Sequence, residues 1–490
     1  MELQFNKESC RCLRTVVDNV QSKEETQEVR ISEGLPDIGK VVGCWGQVLI
    51  RGKEWRSDEI RVSGGVMAWV AYAPEDGSGI RCVETWLPMQ FRWDLPDSQR
   101  DGQICVMLRL ATIDARSTSA RKLMVRASVS VCAEALEATE ITLYKPDALP
   151  EDIELLRRTY PLELPQEAGE KLFQLEEVIK LPPELVRPEK ILHYELTPSI
   201  TEQKIMANRL VFRGSGGLYM LYTGTDGMLH TFRQEIPFSQ YTELDRDYGS
   251  SATAWIIPVV TSLELTRSED DTVSMNAGIA AQYVIYDREI LEFAEDAYSN
   301  ERVVEAVREE ISLPVRLDSR LLEAELSHSV PANAQNVAEV CWMLEQPGVS
   351  YGADAAQIQF AGQYQTLYYD DQGNLQTATG KAEASAELPS DEGNRLQIWP
   401  GKVIENADGC SMEAEVMTFS AASMTALSGL QVGETKQRDE SRPSLVLCRA
   451  EGESLWNVAK RHGSTVEEIR SVNGLSDEPQ GDRILLIPVK

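Results

Sequence analysis

Residues 62–72 read Val-Ser-Gly-Gly-Val-Met-Ala-Trp-Val-Ala-Tyr, and Asp76-Gly77 follows a few residues later. A second apolar run then ends in Leu87-Pro88-Met89-Gln90-Phe91. Apolar and β-branched residues that alternate on either side of an Asp-Gly pair are typical of a β-hairpin. This stretch therefore predicts two antiparallel strands joined by a tight turn.

The same order of parts recurs further along the chain. Residues 214–222 read Gly-Ser-Gly-Gly-Leu-Tyr-Met-Leu-Tyr and precede Asp226-Gly227 and Ile236-Pro237-Phe238. A third, weaker copy runs from Ile358 to Tyr368 and Gln372-Gly373-Asn374, and it lacks the later proline. The tyrosines that end the three runs are 150 and 146 residues apart. Repeats at a fixed interval indicate tandem copies of one structural unit.

Two further strand-like runs follow each hairpin, so each copy is predicted to form a small antiparallel sandwich or barrel. The predicted fold class is mainly β, with three tandem β-sandwich or barrel-like repeats followed by a small α+β domain. The predicted boundaries are an N-terminal segment at 1–22, repeats at 23–145, 146–295 and 296–430, a linker at 431–444 and a C-terminal module at 445–490.

The segments between repeats carry two weaker signals. A Leu-Pro pair closes the lead-in to each copy, at Leu35-Pro36, Leu181-Pro182 and Leu313-Pro314. Residues 150–158 and 300–310 are predicted to form helical connectors, the first of them within repeat 2, because apolar residues recur there at helical spacing.

The charge of the chain limits its partners. Its 78 acidic and 48 basic side chains give a net charge of −30, and residues 443–490 contribute only −1 of this. Such a field repels phosphate backbones and anionic membrane surfaces, so nucleic acid is not an expected partner. The sequence has no run of about 18 apolar residues and no basic-then-apolar start, so we expect neither membrane insertion nor secretion from the cell.

The last 46 residues change character. A strand over Leu445–Arg449 precedes a short helix whose buried face is predicted to carry Leu455, Val458 and Ala459 and which Gly463 ends. Thr465 and Glu468 stand in capping-box register for a second helix that is predicted to bury Val466, Ile469 and Val472 and to end at Asn473-Gly474. Residues 484–488 supply the closing strand, which gives the order β-α-α-β.

This module resembles the LysM domain. The resemblance rests on Gly452 to Ala459, His462-Gly463, Thr465 to Ile469, Asn473-Gly474-Leu475 and the Ile-Pro ending. It implies a non-catalytic binding groove for N-acetylglucosamine polymers, lined by Gly452, Glu453, Ser454, Leu455, Trp456, Asn473, Gly474 and Leu475. Trp456 has two interpretations, core packing against the sheet or stacking of an exposed indole on a sugar.

The repeats resemble the SPOCS domain of clostridial spore coat proteins. The resemblance rests on the Gly-rich strand ending in Tyr, the Asp-Gly turn, the Ile-Pro-Phe run and Tyr298-Ser299. Tandem copies with a terminal LysM domain resemble spore coat morphogenetic proteins. The resemblance implies an adaptor made in the mother cell cytoplasm and located at the forespore surface, whose LysM domain engages a SpoIVA-like coat-scaffold ATPase and whose repeats recruit other coat proteins.

No catalytic, metal-binding or cofactor-binding motif is present in the sequence. The four histidines lie far apart, and Cys10-Arg11-Cys12 lacks the second pair that a zinc site needs. We therefore expect no enzyme activity, cofactor or metal. Two alternatives remain, namely a peptidoglycan-binding envelope or cortex protein and, with less support, a glycan-processing enzyme with a LysM targeting module.

Overall fold

The computed structural model describes residues 2–95, 102–146, 149–268, 272–352, 354–389, 394–437, 443–478 and 482–489. Antiparallel strands dominate it, and the two α-helices among these residues both lie in the C-terminal module. The predicted fold class is confirmed. The strands that precede the module form three units, which we call units 1, 2 and 3.

Unit 1 follows the short first strand β1 (Glu2–Gln4). Its six strands are β2 (Asn6–Arg30), β3 (Ile38–Trp55), β4 (Glu59–Pro74), β5 (Arg81–Asp94), β6 (Gly102–Ser119) and β7 (Lys122–Lys145). They form two antiparallel sheets, one in the order β2–β7–β6 and the other in the order β3–β4–β5. The long first strand therefore pairs with the last one, and the hairpin sheet lies between them in sequence.

Unit 2 repeats this topology. Its strands are β8 (Ile153–Lys180), β9 (Pro188–Gly224), β10 (Leu229–Tyr248), β11 (Thr253–Arg267) and β12 (Thr272–Ser299). One sheet has the order β11–β12–β8, and β10 pairs with β9. Strand β9 turns back on itself, since Ala207 has φ 52° and the Thr201 hydroxyl donates to the Arg213 carbonyl at 3.3 Å. Its two halves correspond to β3 and β4.

Unit 3 has the same plan with one interruption. Its strands are β13 (Arg302–Ser327), β14 (Ala334–Leu344), β15 (Gly348–Tyr351), β16 (Ala355–Asp370), β17 (Leu375–Pro389), β18 (Arg395–Glu405) and β19 (Gly409–Thr435). Strand β19 lies between β13 and β18, while β16 pairs with β17 on one side and with both β14 and β15 on the other. Strand β1 pairs with the far end of β19, so the first residues of the chain join unit 3.

The three predicted hairpin turns are confirmed. Gly77, Gly227 and Gly373 have φ between 70° and 77°, a left-handed conformation that glycine adopts without strain. In each turn the glycine N–H donates to the carbonyl three residues earlier, at 2.9 to 3.2 Å. An aspartate of each turn accepts a backbone N–H, namely Asp76 from Ser78 at 2.9 Å, Asp226 from Met228 at 3.0 Å and Asp370 from Gln372 at 3.0 Å. Local turn chemistry therefore sets the register of all three hairpin sheets.

The Gly-rich motif admits a close approach of the neighbouring backbone. A Cβ at Gly64 would lie 2.4 Å from the Leu49 carbonyl oxygen, and one at Gly214 would lie 2.0 Å from that of Ser199. Unit 3 has Phe360 at the equivalent place, and the strand that faces it is broken between β14 and β15. The weaker third copy thus differs in structure where it differs in sequence.

Two expectations for the connecting segments are wrong. Residues 153–158 and 302–310 are strand, because β8 and β13 pair along almost their whole length with the long strands β12 and β19. Long-range pairing overrides a short helical pattern there. The predicted boundaries at residues 22, 295 and 430 fall inside β2, β12 and β19.

The Leu-Pro pairs are also not equivalent. Leu35 donates its N–H to the Ser32 carbonyl, and Leu185 donates its N–H to the Pro182 carbonyl. Leu35 therefore corresponds to Leu185 and not to Leu181, which is a shift of four residues from the predicted alignment. In both loops a hairpin tyrosine closes the loop, since Tyr72 and Tyr222 donate to carbonyls 36 residues earlier in sequence. Leu313-Pro314 lies within β13.

Three contacts from equivalent positions of the last strands join the units into a ring. Cys132, Gln282 and Glu415 each lie on the last strand of a unit, three residues before its register shift to the first strand. Gln282 of unit 2 exchanges two hydrogen bonds with the Val106 backbone of unit 1, at 2.8 and 2.9 Å. Cys132 contacts the Ile398 carbonyl of unit 3 at 3.7 Å, and Glu415 accepts from Trp255 of unit 2 at 2.7 Å.

These contacts run from unit 2 to unit 1, from unit 1 to unit 3 and from unit 3 to unit 2. A head-to-tail contact that is used three times and returns to its start makes a closed ring. The apolar core crosses the joints as well, because the rings of Trp255 and Trp399 meet edge to face at 4.7 Å. One apolar cluster therefore spans all three units.

Buried carboxyl groups lie at the joints. Glu339 of unit 3 accepts hydrogen bonds from Trp45 of unit 1, at 2.9 Å, and from Tyr219 of unit 2. Burial raises the pKa of Glu339 to about 7, that of Glu134 to about 7 and that of Glu195 to about 8. Each group is therefore more readily protonated in the folded chain than in the unfolded chain.

This shift predicts that the folded chain loses stability as the pH rises. Between the ordinary glutamate pKa of 4.5 and the raised value, the folded state binds more protons than the unfolded state. Each group then removes about 1.4 kcal/mol of unfolding free energy per pH unit across that window. We expect the melting temperature to fall between about pH 5 and about pH 8, and Glu339→Gln, which mimics the protonated group, to reduce that fall. An equal pH dependence in the variant and the parent would contradict the assignment.

Candidate functional site

The C-terminal module has the predicted β-α-α-β order. Strands β20 (Leu445–Glu451) and β21 (Asp482–Pro488) pair antiparallel, and helices α1 (Leu455–His462) and α2 (Val466–Asn473) lie between them in sequence. Buried side chains of α1, α2 and β21 form one small core, and half-buried side chains of β20 pack against it. The module is therefore complete within about 45 residues, a size at which extra stabilisation from a neighbouring domain is valuable.

Local sequence sets the ends of both helices. Ser454 caps α1 by accepting from the Asn457 N–H at 3.3 Å, and Thr465 caps α2 by accepting from the Glu468 N–H at 3.1 Å. Gly463 and Gly474 end them with φ 72° and 62°. The predicted cap at Thr465 and the predicted stops at Gly463 and Gly474 are confirmed, whereas the cap at Ser454 was not predicted. Two predicted core residues of α2 are not fully buried, since Val472 is 48% exposed and Val466 is half-buried.

Two loops of the module lie side by side, as the candidate groove requires. The N-terminus of α1 and the loop after α2 are connected by Glu478, which accepts from the Leu455 N–H at 2.8 Å. Gly452, Ser454 and Gly474 are exposed along these loops, and Leu475 is half-buried. Glu453 is half-buried and pairs with Arg461 at 2.8 Å. The loops thus offer an exposed surface made mainly of backbone and small side chains.

Asn473 is engaged within the module itself. Its amide nitrogen donates to the carbonyls of Ile469 and Leu486, at 2.8 and 2.7 Å, and its amide oxygen accepts from the Leu486 N–H at 2.8 Å. These bonds fasten the end of α2 to β21. Its side-chain amide therefore supports the groove and is not directed at a ligand.

Trp456 is buried, but against a different partner from the predicted one. It is 7% exposed and packs edge to face on Tyr298 of unit 2, with 4.8 Å between ring centroids. Its indole N–H donates to the Asp296 carboxylate at 2.9 Å. The only Trp, Tyr or Phe in residues 443–490 thus lies in the contact between the module and the ring of units.

Asp296 and Tyr298 form a docking site that sequence reasoning did not assign to the module. Lys460 pairs with Asp296 at 2.7 Å, and the Tyr298 hydroxyl donates to the carbonyl of Ser464 at 2.9 Å. Burial alone would raise the pKa of Asp296, but the hydrogen bonds from Lys460 and Trp456 hold it below its usual value. Asp296 therefore remains charged. In the sequence, the motif that marks this docking site is Tyr298-Ser299, one of those on which the resemblance to the SPOCS domain rests.

Comparison with protein families assigns two parts of the chain. Residues 188–264, which cover β9, β10 and most of β11, match the family described as SipL, SPOCS domain. Residues 450–486 match the LysM domain. The chain carries a SPOCS domain and a LysM domain. These domains indicate a sporulation-related protein that has the type of module able to bind peptidoglycan, and both are binding modules.

Comparison with curated proteins and with solved structures gives no match. None of the helices in the described ranges is both long and apolar enough to cross a membrane. Within the same residues, no group of three or more His, Cys, Asp or Glu side chains is placed to hold a metal ion.

A cavity of about 760 Å³ lies between the three units. Charged side chains that line it form contacts between units. Arg233 of unit 2 pairs with Glu405 of unit 3, and Arg109 of unit 1 donates to the Gly401 carbonyl of unit 3 at 3.1 Å. We therefore place the candidate binding site on the LysM domain and not at the centre of the ring.

The docking contact predicts the effect of removing one carboxylate. Asp296→Ala should leave the Trp456 N–H and the Lys460 ammonium unpaired at a partly buried contact, which weakens docking by about 1–3 kcal/mol. Hydrogen exchange read by mass spectrometry should then rise in α1 and in the last residues of β12. Glu292→Ala is the matched control, because Glu292 lies on the same strand and pairs instead with Arg157 at 2.9 Å. Equal exchange in both variants would contradict the contact.

Proposed function

We propose that this protein is a non-enzymatic adaptor in spore coat assembly. In this proposal it is made in the mother cell cytoplasm, and its LysM domain attaches it to a SpoIVA-like coat-scaffold ATPase at the forespore surface. The ring of SPOCS-like units then recruits other coat proteins. The SPOCS and LysM matches support the sporulation context, and the finer roles rest on the arguments that follow.

The burial of Trp456 carries the choice of a protein ligand. Sugar-binding sites commonly place an exposed aromatic ring against the apolar face of a sugar. Here the only such ring of the module is 7% exposed and packs on Tyr298. The amide of Asn473 is satisfied within the module as well. A groove of exposed backbone and small side chains suits an extended or loop-shaped protein segment better than a stacked sugar.

The charge of the chain supports the same choice. The residues before the LysM domain carry −29 of the net −30, so the near-neutral module is the part that can approach an anionic surface or partner. Fixing that module to the ring through Asp296 and Tyr298 gives it a defined orientation. An adaptor that presents one surface to a scaffold and another to its cargo benefits from such a fixed geometry.

The alternative is a peptidoglycan-binding protein of the envelope or spore cortex. The LysM match and the exposed Gly452 and Gly474 loops favour it. The two functions differ in ligand and use the same groove, so one pair of variants tests both.

The test uses the full-length chain and two cap variants. Ser454→Asp keeps an N-cap at α1 but adds a charge and length at the groove, whereas Thr465→Asp makes the same kind of change at α2, outside the groove. We expect capture of the scaffold ATPase from lysate of sporulating cells to fall about ten-fold for Ser454→Asp, equivalent to about 1.4 kcal/mol. Thr465→Asp should behave as the parent chain does.

Sedimentation with insoluble peptidoglycan is measured in parallel. The adaptor function predicts no saturable retention of the parent chain. Saturable retention that Ser454→Asp removes, without capture of a scaffold protein, would contradict the adaptor function and establish the glycan-binding alternative.

A further inference from the structure

The hairpin sheets of the three units end in equivalent edge strands. Strands β5, β10 and β17 each pair with one neighbour only, and no backbone hydrogen bond joins their outer edge to another strand among the described residues. An open edge carries unpaired N–H and C=O groups that can receive another strand. What each edge can accept depends on its residues.

Units 1 and 2 block this edge with proline. Pro88 stands opposite Gly65, and Pro237 stands opposite Ser215, which are equivalent positions in the two hairpins. Proline has no N–H and is tolerated in a sheet where that group would point away from the ladder. Unit 3 has Glu383 at this position, opposite Ala361. Of the three edge strands, β17 is therefore the one that keeps an outward N–H at this position.

Equivalence with the prolines also shows which groups face outward. Successive N–H groups of an antiparallel edge strand point alternately toward and away from the ladder. If the N–H of Glu383 points away from β16, then the N–H groups of Lys381, Ser385 and Glu387 point away from it as well. The side chains of these four residues are all exposed, while Ala382, Ala384 and Ala386 turn inward. The inner face of β17 thus carries small alanine side chains here, and its outer face carries mainly charged ones.

We propose that β17 pairs antiparallel with β17 of a second copy of the chain, about a two-fold axis at Ala384. In this register Lys381 stands opposite Glu387 of the second copy, and Glu383 stands opposite Ser385 of the second copy. Each of these residues turns its N–H outward, so the pairs exchange backbone hydrogen bonds. The charge pair between Lys381 and Glu387 therefore forms twice, once on each side of the axis.

The charge pattern favours a second copy as the occupant. A chain with net charge −30 repels itself in general, so self-association needs a local attraction. The Lys381 and Glu387 pattern is complementary to itself only when the strand runs antiparallel to its own copy, and opposite charges across a strand pair are favourable. A two-fold contact uses the β17 edge of both copies and leaves no β17 edge for a third copy, which limits this contact to a dimer.

The ends of the strand limit the contact in the same way. Thr377, near the start of β17, is tied to unit 1 through its hydroxyl, which donates to the Val42 carbonyl. Pro389 ends the strand and has no N–H to offer. The pairing segment is therefore about nine residues long, from Gly380 to Leu388, and is symmetric about Ala384.

This inference does not depend on the identity of the LysM ligand. If the chain is a dimer, each assembly presents two LysM domains, and attachment to a surface gains from their effective concentration. The mass of the free protein in solution can be measured whatever the LysM domain binds.

The mass of the full-length chain, measured by light scattering during gel filtration, tests the proposal. We expect a species of twice the chain mass of 54.7 kDa. Glu383→Pro restores the residue type that units 1 and 2 carry at this position, so it should fold and yield a monomer. Glu383→Gln, which keeps the N–H, should remain a dimer.

Charge variants give an independent reading if Glu383→Pro does not fold. Lys381→Glu should weaken the dimer about ten-fold or more through two like-charge contacts, and adding Glu387→Lys should restore it. A parent chain that is monomeric at all tested concentrations, or a Lys381→Glu chain that dimerises as the parent does, would overturn the proposal.

Discussion

The contact between the last strand of one unit and the edge of the next is the constraint on which the rest of the structure depends. In unit 2 it is a glutamine, Gln282, whose amide completes the hydrogen bonding of Val106 as a neighbouring strand would. A buried backbone edge must find such partners, because an unsatisfied N–H or C=O in the interior is costly. Contacts at the equivalent positions of units 1 and 3 close the ring, and one apolar cluster spans all three units.

The ring explains why polar and titratable groups lie so deep in the chain. Glu339 is buried, yet it links Trp45 and Tyr219 across three units. His193 lies beside it, stacked on Trp45 with 5.6 Å between centroids, and burial lowers its pKa to about 3. Neutral forms of both side chains are favoured there. The LysM domain is attached to this ring through Asp296 and Tyr298, so its orientation also follows from how the units close.

Sequence reasoning predicted the parts of this structure that local chemistry determines. The Asp-Gly turns at Gly77 and Gly227, the helix cap at Thr465 and the helix stops at Gly463 and Gly474 depend on residues close in sequence, and each lies where it was expected. The candidate groove could be predicted only from a family resemblance. The internal bonds of Asn473 were not visible at that level, because its partner Leu486 lies in a different strand.

What sequence could not supply is the pairing between distant segments. Ile153, Leu155 and Leu156 fit a helical face, but β8 pairs with β12 more than a hundred residues away, and that ladder decides the conformation. The same limit hid the docking of Trp456, because its choice between the module's own sheet and an outside partner depends on Tyr298. Contacts between units leave no periodic pattern in any one of them.

Cooperative unfolding is the most direct test of the ring. Hydrogen exchange can be followed by mass spectrometry at increasing urea concentration, with peptides from β7, β12 and β19 reporting on the three units separately. A closed ring predicts one shared transition, and Gln282→Leu should move it to lower urea in all three strands together, by about 1–3 kcal/mol. Three separate transitions, with Gln282→Leu affecting only β12 and its neighbours, would show that the units fold independently and would contradict the account.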